Sequence, residues 1–525
     1  MTVETQMGTT AEPSSNDGFD RQIAAEGQGM SKRFSLLSLG AVSFSITCTW
    51  VGAGASVGIG LTQSSAATLW SLPIAGVMTL VLSLGMAELS SAYPLAGAGY
   101  LWSYLVASDE YKPFASFFNG FLSVIGWWLA AGSVANFISV LIMAIVVGCH
   151  PAFEPQSWQQ YLIFVSLLWL AAAVNILGIR WLPQFNQLVF SLSVLTLSAT
   201  TIALFVCGRQ DHASTHFLFA NFDNGQSGWS NHGFSFLLAA VNSIYGFLGT
   251  DCGAHLCEEI ANPAKHVPRV IVYPLVMGIA TAFPFLCSLL YSIKDLSAVL
   301  STPTGLPLLE IFVQATGSKS AAVLLTSVFT FCMFGCLVAW AMSGDGALPG
   351  SHLWRRLHPR FNMPANSILL TTTFVSLYGL IFLGSTTAFA AMVSATIMFL
   401  QTSCAMPQAI LLFRGRNRIL PNRFFQLGIF GPVVNAIAVA WVVLIDILAC
   451  FPIIRPVDPQ NMNYMSVVSA GLVSMVLVFW FTTKRRKFRG PDVDFELMNA
   501  RRQAAVHANV TDTIFGSSDQ GETKM

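Results

Sequence analysis

Long runs without a charged residue constrain this chain more than any other feature of its sequence. The first run, from Phe34 to Ala87, contains no Asp, Glu, Lys or Arg. A membrane helix needs about 20 apolar residues, so this run is long enough for two spans, divided near Thr62–Ser65. Of the 525 residues only 10% are charged, whereas a soluble domain carries about 25%. We therefore predict an all-α integral membrane protein.

Further runs with few or no charges predict ten more spans. The run at Asn362–Phe413 is long enough for two, divided near Gly384–Thr387, and the total is then twelve. The remaining predicted spans are Phe114–Gly148, Trp158–Ile179, Gln184–Cys207, Phe234–Ile260, Val270–Ile293, Ala321–Gly344, Phe424–Ile445 and Asn463–Phe481.

The two ends of the chain differ in composition from this membrane domain, which we place at residues 34–483. Residues 1–33 are polar and lack the apolar core of a cleavable signal, so we expect the first span to direct insertion. Residues 484–525 are charged and polar, without a periodic apolar face, and we expect a mobile tail.

The Lys and Arg residues that flank the spans lie mostly on one side of the predicted topology. With the N-terminus inside, the outside loops contain only Arg209, Lys294, Lys319 and Arg455, against eighteen basic residues on the inside, five of them in Lys484–Arg489. Loops on the cytoplasmic side are rich in Lys and Arg. We therefore predict that both termini are cytoplasmic, in the cell membrane or, alternatively, in a vacuolar or other internal membrane.

The sixth span carries a carboxylate at its centre. An apolar run, Phe234–Leu248, is followed by Gly249, Thr250 and Asp251 before a helical pattern resumes. A carboxylate at this depth costs about 2.5–3.5 kcal/mol, so Asp251 should face protein, water or a ligand. Unwound half-helices present such groups to a solute in secondary transporters. The alternative is a kinked structural helix whose Asp is satisfied by its neighbours.

The first span contains a second possible interruption, made of the small residues Gly52, Ala53, Gly54, Ala55 and Ser56. Small residues also let two helices pack closely, and this interpretation remains open. The two interruptions stand five spans apart. We therefore predict two inverted five-helix repeats followed by two further helices.

Four motifs, the first of them in two parts, then indicate a family. The sequence GMAELSSAYPLAGAGYLWSYLVA at 85–107, followed by FFNGFLSVIGWW at 117–128, resembles the fungal amino acid/choline transporter family of the amino acid–polyamine–organocation superfamily. GFLGTDCGAHLCEEIANPAKHVPR at 246–269 is similar to its sixth-helix signature. GDGALPGSHLWRRLHPRFNMPANSI at 344–368 and FFQLGIFGPVVN at 424–435 resemble its later loops.

The resemblance implies the leucine-transporter type of fold for residues 34–483 and a small substrate such as an amino acid, 4-aminobutyrate or choline. It places the substrate at Gly52, Ala53, Gly54, Ala55 and Ser56 of the first span and at Phe247, Gly249, Thr250 and Asp251 of the sixth. The first gap departs from common members, because Val51 follows Trp50 where an acidic residue is more usual. This departure leaves the chemical nature of the bound head group open.

The chemistry of these residues has two interpretations. Asp251 could pair with a substrate amine or carry a coupling proton. Trp50, Phe247 and either Trp127 or Trp128 could hold an alkylammonium by cation–π contact, although simple packing is the plainer role for either tryptophan of the third span.

Two residues beyond Asp251 could act as a gate. His255 and Glu258 lie three positions apart and could contribute to coupling or gating. A metal site needs three or four ligands, so we predict none here, and Glu258 could instead belong to a solvated helix end.

Other function classes lack their sequence signatures. A net charge of +1 without a basic domain argues against nucleic-acid binding, and no nucleotide motif or nucleophile–base pair indicates an enzyme or a cofactor. We therefore predict a secondary active transporter for a small amine-bearing solute, working by alternating access around unwound helices 1 and 6, without a cofactor. The alternatives are an exporter of a specialised amine-containing metabolite and a non-transporting membrane sensor.

Overall fold

The protein is built from helices. The computed structural model describes residues 44–516 except 46, 179, 209–210, 256, 258–261, 342–364, 385, 460 and 492. In chain order the helices are α1 Thr49–Ala55, α2 Val57–Leu61, α3 Ser65–Ala92, α4 Ala98–Val106, α5 Lys112–Cys149, α6 Ser157–Leu177, α7 Leu182–Cys207, α8 Thr215–Phe219, α9 His232–Ile244, α10 Cys252–His255, α11 Pro263–Tyr291, α12 Leu296–Leu300, α13 Pro307–Thr316, α14 Lys319–Ala341, α15 Ala365–Gly379, α16 Ile381–Gly384, α17 Thr386–Arg414, α18 Arg416–Ile419, α19 Gly431–Leu448, α20 Met465–Phe479 and α21 Phe495–Gly516.

The predicted all-α membrane architecture is confirmed. Within the described residues, eleven helical stretches are long and apolar enough to cross a bilayer, and they correspond to the second to twelfth predicted spans. The first predicted span is described from Phe44 onward, where it consists of short helical pieces that include α1 and α2. The inverted relation between the two five-helix halves stays a prediction.

Local sequence explains where several of these helices begin. Ser64 caps α3, because its hydroxyl accepts a hydrogen bond from the backbone N–H of Ala67 at 3.1 Å. Helix α11 begins with Pro263, whose missing N–H costs nothing in the first turn. The residue before it, Asn262, adopts a left-handed φ of 48° that Asn tolerates better than most residues.

Helices α3 and α5 organise the packing. Helix α3 packs against α9, α11 and α19, and α5 packs against α4, α14 and α17. On the outer helices large apolar side chains remain exposed, such as Leu162 at 53%, Leu195 at 65% and Val467 at 68%. Such a surface suits lipid rather than water.

The C-terminal segment does not match the expected tail. It forms α21, in which Met498 and Ala505 are buried, and Met498 joins a core cluster with Leu95 and Leu101. The Arg501 guanidinium also donates to the carbonyl of Pro94 at 3.4 Å. The expectation of no apolar face was wrong here, because a few buried residues are enough to dock a helix on an existing apolar surface.

Candidate functional site

The sixth predicted span is broken beside Asp251, as the sequence indicates. Helix α9 ends at Ile244, a 3₁₀ turn covers Tyr245–Phe247, and Leu248 is extended with φ −74° and ψ 161°. Gly249 has φ +81°, a conformation that glycine adopts without strain. The helix resumes at Cys252. The predicted gap at residues 247–251 is therefore confirmed.

Asp251 lies inside the protein at this break. It is only 4% exposed, and the indole Nε1 of Trp127 donates to its Oδ2 at 3.3 Å. The His255 Nε2 lies 3.4 Å from the same oxygen, one helical turn away. Glu258, the other residue predicted to act in coupling or gating, lies outside the described residues. The carboxylate thus joins the sixth span to α5.

A chain of aromatic rings leads away from Asp251. The centroid of the Trp127 ring lies 5.8 Å from that of Trp340, and Trp340 lies 6.4 Å from Tyr245. Tyr245 in turn lies 5.4 Å from Phe137, and its hydroxyl is hydrogen-bonded to Ser133 at 2.8 Å. Electron-rich ring faces beside a carboxylate are an arrangement that suits a cation.

Phe137 also lines a cavity of about 610 Å³. The cavity lies between α1–α2, α5 and α17, and the loops before α13 and α20 form its rim. Its lining includes Ala55, Thr62, Asn136 and Ser394, with no Asp, Glu, Lys or Arg among the residues that line it. The cavity therefore has an uncharged lining and reaches one end of the ring chain, at Phe137.

Within the predicted gap at Gly52–Ser56, the first span is interrupted only at Ser56, which separates α1 from α2. Gly52, Ala53, Gly54 and Ala55 stay helical in α1, and a sharper interruption lies earlier, outside the predicted gap, at Cys48, whose φ is +40°. A milder irregularity follows at Ser56, with φ −99° and ψ 5°.

The glycines of α1 provide close packing instead of an unwound backbone. A Cβ added at Gly52 would lie 2.9 Å from the Cα of Gly246, in the break of the sixth span. One added at Gly54 would lie 3.0 Å from the ring of Phe329 and 3.1 Å from that of Phe285. Small residues at these positions let the two backbones approach, which is the alternative that the sequence left open.

The other predicted substrate-binding residues have different surroundings. Ala55 lines the cavity, whereas Ala53 and Thr250 are each 8% exposed. The Ser56 hydroxyl donates to the Gly52 carbonyl at 2.8 Å, and the Ser56 carbonyl accepts from Asn242 at 3.3 Å. Ser56 therefore connects the first span to α9, and the binding role of all these residues stays a prediction.

Of the predicted aromatic residues, only Trp127 contacts Asp251 through its indole nitrogen. Trp50 is fully buried, donates to the Ser193 hydroxyl at 2.8 Å and packs edge-on against Phe285 and Phe329, so it belongs to the core. Phe247 is fully buried, and its ring lies against Gly76 of α3. Trp128 stacks near Phe374 with ring centroids 4.4 Å apart.

A buried ion cluster, which the sequence did not indicate, lies at the C-terminal end of α3. The Glu88 carboxylate is 1% exposed and accepts hydrogen bonds from the guanidinium groups of Arg416 and Arg423, the latter at 2.7 Å. The backbone N–H of Leu427 donates to it as well, at 2.9 Å. The cluster ties α3 to the segment between α17 and α19, so this end of the bundle is held together.

A further carboxylate within the spans, besides Asp251 and Glu88, is Asp446 of α19. Its Oδ2 accepts from the Thr402 hydroxyl of α17 at 2.7 Å, and the residue is half-buried. It is therefore a packing contact between two helices rather than part of the ring chain.

The ring chain could not be found from sequence spacing. Tyr245, Trp340, Phe137 and Ser133 lie in three different segments, the 3₁₀ turn, α14 and α5, and only Tyr245 stands near Asp251 in the sequence. Its position just before the predicted gap is the one signal that could have singled it out. The other three are ordinary residues of apolar runs until the fold brings them together.

Comparison with known proteins supports this picture. The profile of the amino acid permease family matches residues 34–475. The choline transporter of Saccharomyces cerevisiae is 30% identical over 508 residues, which cover 95% of this chain and 88% of the relative. Amino-acid permease BAT1 of Arabidopsis thaliana is 31% identical over 88% of this chain and 94% of its own length. Amino-acid permease 2 of Neurospora crassa is 30% identical, over 87% and 84%.

These relatives are transporters and permeases rather than enzymes, and they match nearly the whole membrane domain. The shared profile, the multi-pass helical architecture and the broken sixth span agree with one another. This chain is therefore a multi-pass membrane transporter that belongs to the amino acid permease family, within the amino acid–polyamine–organocation superfamily.

Proposed function

We propose that the protein is a secondary active transporter for a small solute that carries an amine or quaternary ammonium group. The observation that carries this proposal is the buried Asp251 at the break of the sixth span, hydrogen-bonded by Trp127 at the end of the ring chain. The solute moves by alternating access around this break and the interrupted first span.

The chemistry of the site favours a cation. A carboxylate in a water-poor site is stabilised by a positive partner, and the ammonium group of the solute supplies one. The faces of Trp127, Trp340 and Tyr245 add cation–π attraction, worth about 2 kcal/mol when the cation is desolvated. Two of the relatives are named as a choline transporter and an amino-acid permease, and choline and amino acids both carry such a group.

The two ends of the bundle differ in a way that supports alternating access. The cavity opens on one end, and the cluster of Glu88, Arg416 and Arg423 holds the other end together. The Lys and Arg distribution predicts that the cavity faces outward and that both termini are cytoplasmic. We propose on this basis an outward-open state in the cell membrane.

The coupling ion in this proposal is a proton. His255 Nε2 lies 3.4 Å from the Asp251 carboxylate, so the pair can hold or release a proton as the solute binds and leaves. Replacing His255 with Gln should preserve solute exchange but abolish accumulation against a gradient. Undiminished accumulation by this variant would remove His255 from the coupling step.

Asp251→Asn tests the proposal most directly. It preserves size and hydrogen bonding but removes the charge, so a bound ammonium group would be left without its partner. Truncating one member of a buried charge pair costs about 2 kcal/mol or more, and we expect affinity for choline and for amino acids to fall by at least about thirtyfold. Binding, exchange and concentrative uptake should be measured on the purified, reconstituted variant.

Asp446→Asn is the matched control, because it removes a carboxylate from another span while keeping an acceptor for Thr402. We expect this control to bind and accumulate solute normally. Unchanged binding and unchanged accumulation in Asp251→Asn would overturn the proposed site. Efflux and uptake assays on the wild-type protein decide between import and export of the same class of solute.

A further inference from the structure

A strongly basic surface lies at the end of α20, and transport by the proposed mechanism does not use it. The segment Lys484–Arg489 holds five basic residues directly after a membrane-spanning helix. Arg485, Arg486, Lys487 and Arg489 are exposed. Among the residues that the structure describes, no carboxylate lies within 4.0 Å of any of the five basic groups. Their charges are therefore not neutralised by the described part of the protein.

The geometry of the helix end places these charges at the membrane surface. After Phe479 the chain makes a π-helical turn, Trp480–Lys484, and the Phe481 ring is 61% exposed. Lys484 Nζ lies 5.7 Å from the centre of the Phe479 ring, and Arg485 Cζ lies 5.9 Å from that of Phe481. Exposed aromatic rings mark the membrane–water interface, and Lys and Arg beside them extend to the lipid headgroups.

The basic segment is also held in place by its aromatic neighbours. The ring of Trp480 lies 5.0 Å from that of Phe117 on α5, and the ring of Phe488 lies 5.6 Å from the same ring. At Gly490, with φ +117°, an added Cβ would clash with the Tyr104 ring, so the backbone lies close against that ring. A segment fixed on both sides loses less conformational entropy when it binds a ligand than a loose tail would.

We propose that Lys484–Arg489 binds the headgroups of anionic phospholipids in the adjacent leaflet. The phosphate of such a lipid offers the oxygens that guanidinium and ammonium groups prefer, and it lies at the depth that the exposed Phe481 marks. Each basic residue near an anionic membrane surface strengthens the association by about fivefold. A basic segment that only sets the topology would show no preference among lipids once the protein is inserted.

The same contacts give the bound lipid a structural consequence. Phe117 lies on α5, the helix that also carries Trp127 and Phe137. Lipid held by the basic segment therefore stabilises the start of the helix on which the solute site is built. We expect anionic lipid to raise the thermal unfolding temperature of the full-length protein, and phosphatidylcholine to raise it less.

Lipid retention by the purified full-length protein tests the proposal. Native mass spectrometry would compare phosphatidylserine with phosphatidylcholine on the wild type and on Arg486→Gln/Lys487→Gln/Arg489→Gln, which leaves both cation–π contacts in place. We expect affinity for phosphatidylserine to fall by about a hundredfold in this variant, with phosphatidylcholine unaffected. The matched control, Arg486→Lys/Lys487→Arg/Arg489→Lys, keeps the charges and should behave like the wild type.

Other outcomes would overturn the proposal. Equal retention of phosphatidylserine by all three proteins would mean that the lipid binds elsewhere. Full competition by soluble glycerophosphoserine would indicate a site for free phosphate compounds, and tight binding of polyglutamate without a preference for phosphatidylserine would indicate an acidic protein partner. If the variant does not fold, the wild type alone decides, because its preference for phosphatidylserine must weaken at about 1 M salt, where the Debye length is about 3 Å.

Discussion

In α1, Gly52 and Gly54 keep a helical backbone and contribute only the absence of a side chain, whereas Gly249 in the sixth span has left the helical region. Gly52 and Gly54 let α1 pack against Gly246 and the rings of Phe285 and Phe329. Gly249 instead redirects the chain so that Asp251 faces Trp127. Glycine near a predicted interruption can therefore serve either packing or unwinding.

The two segments differ in the polar side chains that lie beside their backbone N–H and C=O groups. Residues 49–55 have no charged side chain, so their backbone groups are best satisfied by continuing the helix. In the sixth span Thr250 and Asp251 supply polar side chains beside the freed backbone. The N–H of Cys252 bonds to the carbonyl of Gly249 at 3.2 Å, which restarts the helix.

The largest expected effect comes from Gly52→Leu, which tests the packing side of the comparison. The new side chain would meet the Gly246 backbone, which cannot move aside as a flexible side chain could. We expect a loss of about 3 kcal/mol or more of stability, visible as loss of a monodisperse peak in size-exclusion chromatography. Gly471→Leu is the matched control, since an added Cβ there has no atom within 4 Å. A well-folded Gly52→Leu protein that had lost only solute binding would instead support the prediction of an unwound, solute-binding backbone at Gly52–Ser56.

Trp127→Phe tests the sixth-span side of the comparison, because it keeps an aromatic ring but removes the hydrogen bond to Asp251. The aromatic ring remains, but the carboxylate loses its indole donor at 3.3 Å. We expect solute affinity to weaken by about tenfold, measured as the dissociation constant of the reconstituted protein. Trp128→Phe is the control, because within the described residues its Nε1 has no hydrogen-bond partner. Equal effects of the two substitutions would show that the bond to Asp251 does not matter.

Gly249→Ala tests whether the left-handed backbone at the break is required. Alanine at φ +81° is strained by about 1–2 kcal/mol, so the thermal unfolding temperature should fall. Gly249→Asn should lose less, because Asn tolerates this region better. Identical stability of the glycine, asparagine and alanine forms would contradict the backbone conformation described for Gly249.

Tyr245→Phe should have the smallest effect of the four. It removes the hydroxyl that is bonded to Ser133 at 2.8 Å but keeps the ring beside Phe137 and Trp340. We expect a loss of about 1 kcal/mol in stability, measured by thermal unfolding, with solute affinity little changed. A much larger loss of affinity would place the hydroxyl itself in contact with the solute.

The sequence by itself determined the membrane architecture and the position of the sixth-span break. Uncharged runs of this length and number are typical of membrane spans, and a Gly-Thr-Asp sequence at that depth is costly in a continuous helix. Both signals are local, since each depends on residues that are neighbours in the chain.

Tertiary structure alone decided what these residues contact. It assigned Gly52 and Gly54 to packing, placed Trp127 rather than Trp50 on Asp251, and paired Glu88 with Arg416 and Arg423. Trp127 and Asp251 are 124 positions apart, and Glu88 and Arg416 are 328 apart. The sequence alone does not distinguish the roles of apolar residues in a membrane helix, because burial, lipid contact and site lining require the same hydrophobic side chains. Only the helix that packs against each face distinguishes these roles.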